Sequence, residues 1–392
     1  MKKNEEKLYI LNSDNKNPNI LVKKINRNYG IDLVRIISMI FIINHHIVFH
    51  GGPFSKTQRF SSEHKIFVFL NIICVSGVNS FGLISGCIGF HSYKYSKLFY
   101  LLVTTFLYSF IIIHLFKFFK PKLKDESYCF PYTIFIIDYW YFTAYFTIYF
   151  FFPLINEGII HIKEKTMRHF VMNLFLIFCF LNEIMKYTQR LKTLDIFNLK
   201  NGFSFSWLLI LYLFGSYLGK FKIDIHIKRS KYYYIKYIFI IIIFGLIKTI
   251  FVLNEMINYN KNSMKLNYAS PIYLGISISL IMIFSNISIK NKNLIKIISF
   301  FSPLTYGIYL SHNHILVRRY IITKYFIWIL KYKSINIVII ELICSFGVFI
   351  ICSFIDYLRI LIFRFLKIAK LLNILENKIT IMADKIYLFN FK

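Results

Sequence analysis

Apolar residues along this chain gather in blocks of roughly 17–25, the length that crosses a hydrocarbon core of about 30 Å at about 1.5 Å rise per residue. A soluble chain would instead show amphipathic stripes backed by polar faces. In lipid each backbone N–H and C=O must be satisfied within its own segment, so such blocks are helices. A β-barrel would alternate apolar and polar residues in short strands, and no such alternation occurs. The blocks predict spans near residues 30–50, 66–90, 97–119, 133–155, 168–186, 204–221, 232–253, 270–289, 297–317 and 335–362. The predicted class is all-α, a polytopic transmembrane helix bundle of about ten spans. The run 320–330 reads either as an interfacial helix or as a continuation of the ninth span.

Residues 1–29 are polar and charged and lack the apolar core of a signal peptide, so the first span is expected to be retained. No internal repeat or linker divides the remainder of the chain. The expected organisation is a polar arm over 1–29, one membrane domain over 30–362 and a basic tail over 363–392. In that tail Lys and Arg interleave with Leu, Ile and Phe, the pattern of a helix lying on anionic membrane lipids.

Charge refines this picture. The chain holds 48 Lys and Arg against 18 Asp and Glu, a formal charge of +30, and 57% of its residues are hydrophobic. The cations sit in short loops between spans rather than on one soluble face, which excludes a nucleic-acid binder. With the N-terminus inside, inner segments carry 28 of them and outer loops 18, so both termini are expected in the cytoplasm. Arg318, Arg319, Lys324, Lys331 and Lys333 in the last outer loop run against that trend. Of six cysteines, five (Cys74, Cys87, Cys179, Cys344, Cys352) fall in apolar blocks and read as small hydrophobes, whereas Cys129 does not. No Cys/His cluster has metal spacing, and no metal is expected.

The first span is the chemical outlier. Gly30–His50 carries Asp32, Arg35, His45, His46 and His50, although an ionisable group at mid-membrane costs about 2.5–3.5 kcal/mol or more. Eleven steps of 100° return to within about 20° of the start, so Arg35 and His46 share a helix face. Asp32, three residues before Arg35, can pair with it and lower the cost of its burial. The competing reading has Asp32 and Arg35 snorkelling to one headgroup layer. It makes His45, His46 and His50 interfacial residues at the other.

Arg35, ten residues, then His46, preceded by D-L-x-R at Asp32–Arg35, resembles the first span of acyltransferase family 3. Other stretches come in the family's order. VNSFGLISGCIGF (Val78–Phe90) is similar to its second span, with Ser85–Gly86 allowing close approach of a helix or a ligand. YWYFTAYFTIYFFFPL (Tyr139–Leu154) resembles the fourth span of the subfamily that includes the enterobacterial common antigen O-acetyltransferase, although an interfacial aromatic belt has the same composition. GFSFSWLLILYLFGSYLGK (Gly202–Lys220) has the same look. SPLTYGIYLSHNHILVRR (Ser302–Arg319) resembles the Y-x-x-Y-L-x-H signature, which selects His312 over His314. The likeness covers roughly residues 28–360. It departs after the second span, where many members carry Arg-x-x-Arg and this chain has Lys94 and Lys97. Lys keeps the charge and loses bidentate phosphate geometry. A plain positive-inside loop is the alternative there.

The resemblance implies a membrane-bound O-acyltransferase of a bacterial plasma membrane. Its donor would be acyl-CoA, in most cases acetyl-CoA, and its acceptor a hydroxyl of a lipid-linked or surface glycan. Such transfer needs a base near neutrality, a donor clamp and oxyanion stabilisation. By that resemblance His46 is the base or a transient acyl site, with Arg35 positioning the donor under Asp32. His312 is a second acid/base group or an acceptor contact, and Ser85, Lys94 and Lys97 lie along the donor's path. A transporter or flippase of polysaccharide intermediates is the rival, resting on Lys248 and Glu341 within spans seven and ten as a proton pathway.

Overall fold

Helix α1, Tyr29–Phe49, starts at Asn28, whose side chain accepts a hydrogen bond from Ile31 N–H at 3.2 Å and donates to Ser285 O at 2.8 Å. One residue thus caps the first span and ties it to a neighbour. The computed structural model describes residues 27–119, 139–187, 195–258 and 266–390, apart from 92, 225, 226, 228 and 334. Most of the polar arm, Cys129 and the start of the fourth expected span lie outside these residues. No strand occurs among the described residues, and the chain is an all-α bundle.

Among the described residues seven helices, or eight counting a bent pair, are long and apolar enough to cross a membrane, so this is a multi-pass membrane protein. Helices α2 (Ser62–Gly89) and α3 (Tyr95–Phe119) match the second and third expected spans. The fourth is broken into α4 (Trp140–Tyr149) and α5 (Phe152–His161), bent by 65° where Pro153, lacking an N–H, opens α5. The fifth, α6 (Glu164–Leu174), runs on through π-helical Phe175–Leu181 into Asn182–Tyr187. Helix α8 (Lys231–Asn258) is the seventh. The ninth is α10 (Lys292–Phe301) and α11 (Thr305–Asn313), joined by a 3-10 turn over Ser302–Leu304 that contains Pro303. Helix α12 (Ile335–Phe365) is the last span, and the tail forms α13 (Ile368–Asn390).

Two expected spans are short. Helices α7 (Phe205–Phe221) and α9 (Pro271–Ser285) have 17 and 15 residues. The shorter reaches about 22 Å, less than a hydrocarbon core of about 30 Å. Both are largely buried among other helices, so lipid does not set their length. The run 320–330 matches neither expectation. It turns back as a strap over the end of α1, with Lys324 N–H donating to His50 O at 3.1 Å and Phe326 N–H to Gly51 O at 3.0 Å.

Helix α2 is the hub, packed on α1, α7, α8 and α9, and α1 packs on α2, α9, α10, α11 and α12. The most polar span is therefore among the most enclosed. Against α7 the approach is close enough that a Cβ on Gly86 would strike the Tyr212 carbonyl, and one on Gly215 the Leu83 carbonyl. Small residues on both faces let the two backbones touch, the membrane substitute for hydrophobic drive.

Candidate functional site

One turn into α1, Asp32 is buried and accepts three hydrogen bonds. They come from Arg27 Nε to Oδ2 at 2.7 Å, and from Arg35 Nη1 and Ser302 Oγ to Oδ1, each at 2.8 Å. Arg35 Nη1 also donates to Ser302 Oγ at 3.0 Å. The 3-10 turn at Pro303 brings Ser302 here, joining α1 to the ninth span. The pair does not snorkel freely: the Arg35 side chain is 22% exposed and anchored at both partners. Both anchors use one nitrogen, so Nε and Nη2 of the guanidinium are left for a ligand.

Arg35 opens onto a cavity of about 550 Å³ that follows α1 outward past Met39 and Ile42 to His45, His46 and His50. That size suits a small-molecule site. From Arg35 to His46 the helix rises about 16 Å, and both side chains line the same space. Ser85 lines it too, while its neighbour Gly86 serves the contact with α7. The Ser85–Gly86 pair thus divides its two readings between adjacent residues. Trp140, Tyr141 and Tyr145 on α4, with Tyr306 and Tyr309 on α11, face the same space rather than forming only an interfacial belt.

The imidazoles converge at the far end. His46 and His312 have ring centroids 5.2 Å apart, and His46 lies 5.4 Å from both His45 and His50. His312 Nδ1 is 2.5 Å from the Ile308 carbonyl, which can only accept, so Nδ1 carries the hydrogen. In the neutral ring Nε2 is then the lone-pair nitrogen, and it is buried without a partner among the described residues, as is His46 Nδ1. Tyr139 fixes this level by donating Oη to Leu310 O at 2.8 Å. His314 is set apart by lining no part of this cavity: its Nδ1 accepts from Leu316 N–H at 3.2 Å and its ring meets Tyr139, although its Nε2 too is buried without a partner among the described residues. His45 is buried rather than interfacial, bonded through Nδ1 to Asn71 Oδ1 at 2.6 Å.

Lys94 and Lys97 lie outside the cavity, exposed at the start of α3. They are nonetheless at the Arg35 end, because Tyr149 donates to Lys94 O at 2.7 Å and its ring lies 6.0 Å from cavity-lining Tyr145. The site residue that sequence reasoning misses is Arg318, which lines the opposite end beside His50 and Asn313. By charge counting it is only a loop cation, four residues beyond His314, and its place depends on the fold-back of the strap. Lys248 is paired across the bundle with Glu183 at 3.1 Å, and Asn267 Nδ2 donates to the same carboxylate at 2.7 Å. Glu341 is fully buried. Among the described residues no group of three or more His, Cys, Asp or Glu side chains is placed to hold a metal ion.

A carboxylate-held guanidinium and the His46 imidazole thus stand at two depths of one cavity, with His312 packed behind His46, an arrangement suited to a long, partly anionic ligand. A family model described as an acyltransferase domain matches residues 28–357. Neither a curated protein nor a solved structure matches the chain.

Proposed function

The chain belongs to acyltransferase family 3, and on that premise we propose that it moves an acyl group, acetyl in the first instance, from acyl-CoA to a hydroxyl of a lipid-linked or surface sugar. The observation that carries this reading is the single cavity joining Arg35 to His46. The cavity of about 550 Å³ takes the acyl-pantetheine arm. The nucleotide and its phosphates then stay outside, by Lys94 and Lys97. Nε and Nη2 of Arg35 hold the arm, with Asp32 and Ser302 fixing the guanidinium.

At the far end His46 takes the acceptor hydroxyl's proton as the oxygen attacks the thioester carbonyl. Tyr309, a cavity-lining phenol one turn before His312, supplies an O–H donor of the kind the tetrahedral oxyanion needs. The C–S bond breaks, and the departing thiolate recovers the proton from the imidazolium. His312 Nε2 gives the pair a second acid/base nitrogen. Within the family, the resemblance of Tyr139–Leu154 supports a reading as a member of the subfamily that includes the enterobacterial common antigen O-acetyltransferase.

The membrane is the bacterial plasma membrane, with both termini and the Lys94 turn on the cytoplasmic side, where acyl-CoA is. Helix α13 lies there on anionic lipid, since Leu371, Ile374 and Leu375 are uncovered and Lys367, Lys370 and Lys378 flank them. The transporter reading loses its first support, because Lys248 is a partner of Glu183 rather than a free carrier.

Donor binding is tested by thermal shift. A ligand that binds the folded state stabilises it by RT ln(1 + [L]/Kd), so acetyl-CoA raises the melting temperature of the wild type and not of Arg35→Gln. A wild type unmoved by acetyl-CoA at millimolar concentration would remove the donor from this reading.

A further inference from the structure

The two ends of the catalytic cavity are charged differently. Its lining holds two guanidinium groups, Arg35 and Arg318, with the imidazoles of His45, His46 and His50 and, among the described residues, no carboxylate. At one end Asp32 offsets Arg35. At the other, Arg318 makes no ion pair among the described residues, and its Nη1 reaches the neutral Asn313 Oδ1 at a long 3.4 Å. Arg318 is half-buried and turned into the protein, close enough for its charge to act on His46, His50, His312 and His314. Arg319 gives the contrast, being exposed, over the Tyr320 ring and no part of the cavity lining. Of two adjacent cations, one faces the surroundings and the other faces the chemistry.

Local structure sets that direction. Helix α11 stops at Asn313, His314 leaves helical geometry with ψ at 135°, and a π-helical turn follows over Arg318–Ile322. Such turns are uncommon and concentrate at functional sites. The Arg318 backbone is fastened on both sides. Its N–H donates to His314 O at 2.9 Å, and its carbonyl accepts from Thr323 N–H at 2.8 Å and Thr323 Oγ1 at 2.7 Å. A cation held this way in advance costs a ligand less ordering entropy. Three aromatic rings from distant parts of the chain line the same cavity. Trp140 and Tyr268 are stacked with centroids 6.1 Å apart, and Phe203 is 4.9 Å from each. Tyr268 precedes α9, whose last residue, Ser285, meets Asn28 at the start of α1, so these rings stand away from the Arg35 end. Rings offer an apolar face to the C–H side of a pyranose, and a guanidinium offers a fork to an oxyanion.

Resting on the acyltransfer reading, we infer that the acceptor sugar carries an anionic group, phosphate or carboxylate, which Arg318 holds while the sugar's hydroxyl meets His46. Arg318 is then the residue that selects anionic over neutral glycans.

Melting curves without acyl-CoA test this. Full-length protein in nonionic detergent is titrated with N-acetylglucosamine 1-phosphate, glucuronic acid or neutral N-acetylglucosamine, and the shift from each variant's own unliganded melt gives an apparent affinity. At least one anionic sugar should bind the wild type tenfold or more tighter than the neutral one, about 1.4 kcal/mol. Preference for the phosphate supports an anion in the sugar's link to its carrier, and preference for the uronate an anion on the sugar itself. Arg318→Gln should lose the tenfold and Arg318→Lys keep part of it, while Arg319→Gln and Arg35→Gln retain it. Adenosine 3′,5′-bisphosphate, the phosphate end of the donor, should not distinguish the wild type from Arg318→Gln. Equal affinity for neutral and anionic sugars, or an anionic preference that survives in Arg318→Gln or vanishes in Arg35→Gln, would overturn the proposal. So would glycerol 1-phosphate binding as tightly as the sugar phosphate, which would make Arg318 a lipid-headgroup contact. Since no acyl donor is present, the expected binding without any acetyl transfer would refute the reaction and keep the site. Transfer to glycans without that binding would do the reverse.

Discussion

Replacing Arg35 by Lys keeps the charge and changes the geometry. In the wild type Nη1 alone contacts Asp32 at 2.8 Å and Ser302 at 3.0 Å, so the fork retains Nε and Nη2 for the donor. A Lys ammonium can still meet Asp32, but it then has no rigid second edge to offer. Structurally the loss is one hydrogen bond to Ser302, about 1 kcal/mol, because Ser302 Oγ still donates to Asp32. Functionally the loss is a charge-assisted hydrogen bond to the donor, about 1.5–3 kcal/mol, or roughly 10- to 150-fold in kcat/KM. Arg35→Lys should therefore fold and elute as the wild type does while transferring label from acetyl-CoA far more slowly, with most of the loss in the KM for donor. Transfer kinetics against acetyl-CoA concentration, alongside a melting curve, separate the two effects. An Arg35→Lys protein with wild-type KM and kcat would show that the guanidinium fork holds no donor, and the reasoning from its free edge would be wrong.

His46→Gln should lower transfer by roughly 10²- to 10⁴-fold, the usual range for a general base, with the thermal shift on acetyl-CoA intact. His312→Gln should lower it less, and the comparison is read in initial rates. Gly86→Leu drives a side chain into the Tyr212 carbonyl and Ser216. Overpacking of about 1–3 kcal/mol or more should reduce the folded yield, seen by fluorescence-detected size exclusion. Lys248→Met leaves the Glu183 carboxylate with its Asn267 and Ser270 donors and with Lys186 in the neighbourhood, but without its ion-pair partner. Breaking a buried pair costs up to about 3–5 kcal/mol, so the melting temperature falls while the rate per folded molecule and its pH profile hold. A changed pH profile would instead place Lys248 on a proton path.

Much of α1 is legible in the sequence because helical periodicity is rigid. A separation of eleven residues fixes Arg35 and His46 on one face whatever surrounds them, and the structure lines one cavity with both. The Asp32–Arg35 pair is visible in i,i+3 spacing, but its third member, Ser302, lies 270 residues on and enters only through the turn at Pro303. Aromatic residues are ambiguous for a compositional reason. A headgroup belt and a cavity wall both favour Trp and Tyr, so Trp140, Tyr141 and Tyr145 are sorted only by the fold, which lines the cavity with all three. Arg318 is hidden because charge counting treats every loop cation alike. Lys248 looks like a buried carrier because its partner Glu183 is 65 residues away, beyond any helical register.

Acyl transfer in the cavity between Arg35 and His46 is tested by giving purified protein in detergent radiolabelled acetyl-CoA and total lipid-linked glycans from its host. His46→Ala and Arg35→Ala proteins, matched for folded content, run beside it. Label is expected in the glycan fraction with the wild type and none above background with either variant. Label that moves equally in all three would contradict the site, and label that never moves would contradict the reaction.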